Sequence, residues 1–303
     1  MRAKMEIENR LYYYGLGAGL PYGTLNSIAN AVDVTINAKD LTHRRRVARE
    51  MLKGSPWAGF IPKELGYAMV GPDTLPSAKK AIEASLAIIE DRRKTGWKAR
   101  KNNPFYQCER PSDFVDFPEL IEFALSDAIM HIMSDYYGLV PQMKEIGIWL
   151  TPQQSHQFSS QLYHLDKPEC QLVKLFLNLE ANDDASGPLT LLPLGASQQV
   201  RKNTGYEAIY FRGDGRLTDE AVFSNCPKSS QIMLGGPAGT GGFADTSNCF
   251  HFGSRCSSGE RKMLTVAFML PHKARDWRTP LFDLVPPPVD EARRLALSGV
   301  EFR

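Results

Sequence analysis

The sequence predicts a mainly β protein, in which a helical N-terminal part leads into an antiparallel β core that is closed or double-sheeted. Three observations carry that expectation. Up to Gly138 the apolar residues fall at helical spacing. After it come short runs of strand type, "IGIWLTP" (146–152), "QLVKLFLNLE" (171–180), "GPLTLLP" (187–193) and "RKMLTVAFML" (261–270). Clusters of Gly, Pro, Asn, Asp and Ser separate these runs, a punctuation that suits a sandwich or barrel.

Taken in order, the first predicted helix is "LTHRRRVAREMLKG" (41–54), with Leu41, Val47, Met51 and Leu52 as its apolar residues and Gly54 as its stop. Its Arg44-Arg45-Arg46 cluster reads as a solvated face. The second covers 73–93, where Ala78, Ile82, Leu86 and Ile89 share one side. The third runs over 118–138, from Pro118 to the stop signal Gly138. A polar stripe through Glu119, Glu122, Ser126, Asp127, His131 and Ser134 places His131 in solvent. Within the β part, residues 200–230, with "FRGDGRLTD", interrupt the strands and form an excursion, a candidate lid. The "VPPP" at 285–288 stops any regular element, and 290–297 is expected as a short terminal helix. No internal repeat or low-complexity tract is present. The expected organisation is one domain over 1–303: a mostly helical flank at 1–140, a β core at 141–275 and a C-terminal tail at 276–303.

A chain of 303 residues with 43% hydrophobic and 23% charged residues can bury a sizeable core. Basic residues number 36 against 34 acidic ones, so no global field attracts nucleic acid or an anionic membrane, and neither partner is expected. No apolar run approaches the ~20 residues that a membrane helix needs. The cysteines (Cys108, Cys170, Cys226, Cys249 and Cys256) are odd in number and form no CxxC pair. With no signal peptide in view, reduced thiols and a cytoplasmic location are expected.

The stretch "QLYHLDKPECQLVKLF" (161–176) sets His164 and Asp166 two positions apart at the edge of a strand. Side chains at i and i+2 share a strand face, so two metal-binding groups point the same way. A metal needs a third group, and two histidines with one carboxylate form the facial set that holds Fe(II) with open positions. The remaining histidines are His43, His131, His156, His251 and His272. His43 adjoins the arginine cluster, His272 lies beyond the last strand, and His156 in "QQSHQFSSQLYH" reads as a solvated loop residue. His251 follows the glycine-rich "LGGPAGTGG" (234–242) and precedes a turn at Ser257-Ser258-Gly259 that leads into a strand opening with Arg261. That strand alternates Arg261, Met263, Thr265 and Ala267 on one face. An arginine on an inner face calls for a carboxylate partner, because an unpaired buried charge is costly. Cys249 shares the parity of His251 but reads as buried and inert, since a thiolate makes a softer site. The "GGPAGTGG" run is no phosphate loop, because no Lys-Ser/Thr follows it.

"YHLD" (163–166), "VKLFLNLEANDDASGPLTLLPLGAS" (173–197) and "DTSNCFHFGSRCSSGER" (245–261) together resemble the phytanoyl-CoA dioxygenase-like family of Fe(II)/2-oxoglutarate oxygenases, over roughly 140–270. The middle stretch departs from the family's block after Gly-Pro: "LPLGAS" is one residue longer and lacks a histidine. The resemblance implies a double-stranded β-helix core of jelly-roll or cupin-like type, flanked by helices. It implies His164, Asp166 and His251 as iron ligands and Arg261 as the grip on the distal carboxylate of 2-oxoglutarate. By the same resemblance Phe176 contacts the cosubstrate, Lys174 meets the cosubstrate or the substrate, and Thr151 is a hydroxyl partner of 2-oxoglutarate. The implied reaction is a dioxygenase (hydroxylase-type) oxidation of a C–H bond in a small organic metabolite, with dioxygen consumed and succinate and CO2 released. Asp166 stands where related halogenases have a small residue, which implies no halogenation. Phe158, Tyr163 and Phe176 suit an organic substrate. The competing expectation is a non-catalytic metal- or ligand-binding β-helix module, and Arg261 distinguishes the two.

Overall fold

In a computed structural model, which describes residues 22–96, 105–153, 157, 159–166, 171–211, 215–273 and 290–298, the described strands form two antiparallel sheets. The larger sheet has six strands: β1 (Tyr67–Val70), β2 (Tyr106–Gln107), β3 (Gln142–Pro152), β4 (Leu172–Asn178), β7 (Gly241–Asp245) and β9 (Glu260–Met269), in the order β1-β7-β4-β9-β3-β2. The smaller has β5 (Thr190–Leu191), β6 (Ile232–Met233) and β8 (His251–Phe252), in the order β6-β5-β8. Two antiparallel sheets with helices are consistent with a jelly-roll core. Two strands of the large sheet, β1 and β2, come from the region expected to be helical flank. They form its two edges, and strands of four and two residues offer little template for further pairing.

Alternation along the strands decides what each face does. One face of the large sheet presents Ile146, Ile148, Val173, Leu175, Leu177, Leu264, Val266 and Phe268, all within the main apolar core. Three helices from the N-terminal part pack on it: α3 (Ala78–Lys94), α5 (Glu119–Ala124) and α6 (Asp127–Tyr137), through residues such as Ile88, Leu120, Phe123, Ile129 and Met133. Each such side chain stabilises the fold by roughly 1.5–3 kcal/mol on burial. The opposite face carries Glu145, Gly147, Trp149 and Thr151 on β3, in register with Ala267, Thr265, Met263 and Arg261 on β9. A register shift between Met143 and Glu145 precedes this row.

The first two helices among the described residues are α1 (Tyr22–Ile36) and α2 (Ala38–Met51), so the expected helix at 41–54 begins three residues earlier and ends three residues earlier. The reading of its arginine cluster holds for Arg45 and Arg46 but not for Arg44, which is 3% exposed. Arg44 pairs with Asp40 and donates to the carbonyls of Val140 and Leu295 and to Ser298 Oγ. The helix expected over 73–93 starts only at Ala78, because Ser77 adopts a left-handed φ of 66°. The helix expected over 118–138 is two helices, since Ser126 is extended (ψ 153°) and restarts the chain at Asp127. A four-residue α4 (Asp113–Asp116) precedes them, and Gly138 ends α6 at φ 68°. His131 is not solvated but half-buried, with Nδ1 2.8 Å from Ser55 Oγ, and Ser134 is buried.

The excursion at 200–230 is a helical layer made of α7 (Leu194–Thr204), α8 (Tyr206–Phe211) and α9 (Asp219–Phe223). It owns a second apolar cluster of Val200, Tyr206, Leu217 and Val222 packed with Tyr163, Leu165, Phe250 and Phe252. The terminal helix α10 (Glu291–Ala296) is capped by Asp290, whose side chain accepts from Arg293 N. The glycines expected not to form a phosphate loop instead open β7: a Cβ on Gly241 would lie 1.9 Å from the Phe176 carbonyl, so only glycine lets β7 approach β4 there. No helix among the described residues is long and apolar enough to cross a membrane.

Candidate metal centre

His164 and His251 face each other as a bridged pair, each backbone N–H donating to the other's carbonyl, at 3.0 and 3.1 Å. Their rings lie 4.3 Å apart between centroids. Each Nδ1 lies close to a carbonyl two residues back, His164 to Leu162 at 2.9 Å and His251 to Cys249 at 3.0 Å. A carbonyl only accepts, so Nδ1 carries the proton and Nε2 offers its lone pair. Asp166 is fixed by its backbone, which donates to Thr246 and accepts from Ser247 Oγ. Its carboxylate oxygens then stand 3.5 Å from His164 Nε2 and 3.6 Å from His251 Nε2. The three ligand atoms lie within 4.8 Å of one another, a group able to hold a metal ion.

The charge states suit that task. Burial, with His251 beside it, pulls His164 down to about 4, so its imidazole is neutral at neutral pH. Burial works against the Asp166 carboxylate, but Lys174 and the two histidines outweigh it and hold the group well below the usual range. Lys174 Nζ lies 2.8 Å from Asp166 Oδ2 and supplies the counter-charge. Burial opposes the Lys174 ammonium, and Asp166 with Glu145 raises it nonetheless.

A cavity of about 310 Å³ opens over the three residues and is lined from both sheets. His164, Asp166, His251, Lys174, Phe176 and Arg261 all line it. Arg261 is 6% exposed, and no carboxylate among the described residues answers it. It donates to Ser254 Oγ, lies 2.7 Å from Met263 Sδ, and leaves Nε buried without a partner. Burial lowers it to about 10, which keeps it charged at neutral pH. Thr151 sits beside it across the β3–β9 pair but does not line the cavity; its hydroxyl donates to Ser254 Oγ at 3.2 Å. Ser254 therefore receives both groups, in a left-handed conformation at φ 63°.

Other expected residues separate from the site. Tyr163 is fully buried against Phe252 and Phe223, on the face away from the cavity, and takes no part in lining it. Cys249 is buried with its Sγ on the carbonyls of Leu65 and Gly66, as expected of an inert thiol. His43 pairs with Glu291 and His272 with Asn30, both remote from the cavity. His156, Phe158 and Cys170 lie outside the described residues. Sequence reasoning missed Phe105, Glu145, Trp149 and Thr265 as lining residues. For the two on β3 the available signal was the period-two parity with Thr151.

No family model and no curated protein matches the chain. Among solved structures it is similar to the non-heme alpha ketoglutarate dependent carbocyclase SnoK from nogalamycin biosynthesis, at 17% identity, 78% of this chain, 94% of that chain and a TM-score of 0.46. It is also similar to HygX from Streptomyces hygroscopicus with nickel and 2-oxoglutarate bound (13% identity, 72% and 87% covered, TM-score 0.46). A third is EctD from S. alaskensis with bound Fe (14% identity, 79% and 84% covered, TM-score 0.47).

Proposed function

We propose that the protein is an Fe(II)- and 2-oxoglutarate-dependent dioxygenase of the phytanoyl-CoA dioxygenase-like type, which hydroxylates a C–H bond of a small organic metabolite. The observation that carries this reading is Arg261, a buried guanidinium with no acid among the described residues, facing the same cavity as two imidazoles and a carboxylate. The donor set fits Fe(II), since nitrogen and oxygen ligands on one side leave open positions opposite. When bound, Fe(II) with 2-oxoglutarate and dioxygen supplies the oxidising power for C–H cleavage, with succinate and CO2 as coproducts.

The protein's residues hold and orient. The carbonyls of Leu162 and Cys249 fix the two rings so that both Nε2 atoms aim at one point. Lys174 keeps Asp166 ionised before a cation arrives. Arg261 offers a planar fork to the distal carboxylate of the keto acid, and Ser254 and Thr151 hold that fork in place. Phe176, Leu189 and Met263 supply apolar wall that limits water around the reacting groups. A non-catalytic metal-binding module would gain nothing from an unpaired guanidinium in its interior, whose burial is costly.

His164→Ala and His251→Ala should each abolish iron-dependent conversion of 2-oxoglutarate to succinate while the circular dichroism spectrum stays native. The anaerobic Fe(II) protein should develop a weak visible charge-transfer band on addition of 2-oxoglutarate. Undiminished turnover in both variants, or no band in the wild type, overturns the assignment.

A further inference from the structure

Once metal and keto acid are assigned, one charged side chain in the cavity has no task. Glu145 lines it from β3, directly after the register shift, and makes no hydrogen bond or ion pair among the described residues. It shares a cross-strand row with Ala267 and Lys174, so the acidic and the basic side chain flank a floor set by a small residue. Lys174 is committed to Asp166 at 2.8 Å and feels Glu145 only at longer range.

Gly147 makes room beside it. A Cβ at that position would lie 2.4 Å from Trp149 Nε1, 2.8 Å from Thr265 Oγ1 and 3.0 Å from Glu145 Oε1. Three polar atoms therefore converge on one niche that exists because the residue is glycine. Two of them satisfy each other: the indole donates to Thr265 Oγ1 at 2.9 Å, and that hydroxyl faces the Gly147 carbonyl at 3.4 Å. The Glu145 carboxylate is left as an acceptor without a donor. Trp149, Phe105 and Phe176 put aromatic surface around the same space, and aromatic faces attract cations.

We propose that Glu145 is the specificity-determining residue for a protonated nitrogen on the organic substrate, an ammonium or amidinium on a small body that fits against Trp149 and Phe105. The inference rests on the oxygenase reading for what happens to that substrate, but not for its charge. A substrate that fills the cavity strips water from Glu145, and a buried carboxylate without a partner is costly. A cation offsets that cost with a charge-assisted hydrogen bond; an alcohol does so only in part, and an anion adds repulsion. Arg261 answers the distal carboxylate of the keto acid and Asp166 faces the metal, so Glu145 is the negative charge left for the substrate.

The test uses full-length protein loaded with redox-inert Ni(II) and saturated with 2-oxoglutarate, titrated by calorimetry with benzylamine, benzyl alcohol and benzoate. Benzylammonium should bind at least about tenfold tighter than benzyl alcohol, with benzoate weakest, as a charge-assisted bond to a carboxylate that the ligand covers requires. Glu145→Gln should bring the amine to the level of the alcohol. Equal affinities for all three probes in the wild type, a comparison that needs no variant, overturn the proposal, as does an unchanged amine preference in a folded Glu145→Gln. The amine titration repeated without 2-oxoglutarate separates the two readings. A protein that prefers the ammonium but never binds the keto acid sinks the oxygenase and keeps the cation site; one that binds the keto acid without preferring the ammonium does the reverse.

Discussion

Three arginines are buried among the described residues, and they differ in what answers them. Arg44 has Asp40, Arg92 has Asp113 and Asp91, and Arg261 has no acid. Arg261→Ala should therefore raise the apparent KM for 2-oxoglutarate by about 10- to 150-fold, the equivalent of the roughly 1.5–3 kcal/mol of a charge-assisted bond. Lysine should recover only part of it, because the fork is lost. Iron affinity should not change. The ligand-free Arg261→Met protein should melt higher than wild type, since an uncompensated interior charge has been removed; a lower melting temperature would mean that Ser254 and Met263 already satisfy the guanidinium. Glu109 offers a pH test. Burial raises it from 4.5 to about 7 despite its bond from Ile148 N–H. Because the folded value lies above the unfolded one, its contribution is fully present below pH 4.5 and is lost as pH rises through 7, at about 1.4 kcal/mol per unit in that window. Glu109→Gln should flatten the decline in melting temperature between pH 5 and 8. At this scale the sequence offered His164, Asp166, His251 and Arg261 as candidates, but alternation along a long strand aims only Arg261, on β9: His164 is an isolated bridge residue and Asp166 lies in a bend outside the strands. It hid Glu145, because the apolar run starts one residue later and the register shifts just before it. It hid the burial of Arg44 for another reason: the carbonyls that receive it lie 96 and 251 residues away, and a run of three arginines looks the same whether solvated or enclosed.

Elements were legible where their pattern was long and were lost where it was short. The strands β4 and β9 lie almost where alternation puts them, whereas β5 is two residues inside an expected seven. β1 and β2 carry so few residues that pairing with β7 and β3, rather than local preference, makes them strands. The expected helix at 118–138 broke at Ser126, whose extended conformation no apolar periodicity reports. Between elements, single polar side chains do much of the fastening. Arg255 clasps Asp219 at the start of α9 with two bonds of 2.7–2.8 Å while stacking 3.4 Å over Phe252 on β8. Arg44 does the same for α2 and α10. Arg44→Ala strands two carbonyls and should cost about 1–3 kcal/mol, with hydrogen exchange accelerating in α10 before the β core responds. Uniform acceleration throughout would show that the clasp is global rather than local.

For the whole molecule, the two sheets and the helical layer meet around the candidate metal ligands, so a bound cation should report on all of them. Saturating Ni(II) at 100 times its Kd should stabilise the fold by about 2.7 kcal/mol, seen as a higher melting temperature that chelation reverses and that His164→Ala lacks. The reciprocal bonds between His164 and His251 have one more consequence. They make the gap between two ligands a property of antiparallel pairing, about 5.5 Å between Cα atoms in a pair of this kind, and not of the connections that lead in and out. The α7–α9 layer and the β2 edge can then vary in length and chemistry without resetting that gap. Such a scaffold would let descendants try new ligands by rewriting its rim, while the spacing of the two histidines is handed down unaltered.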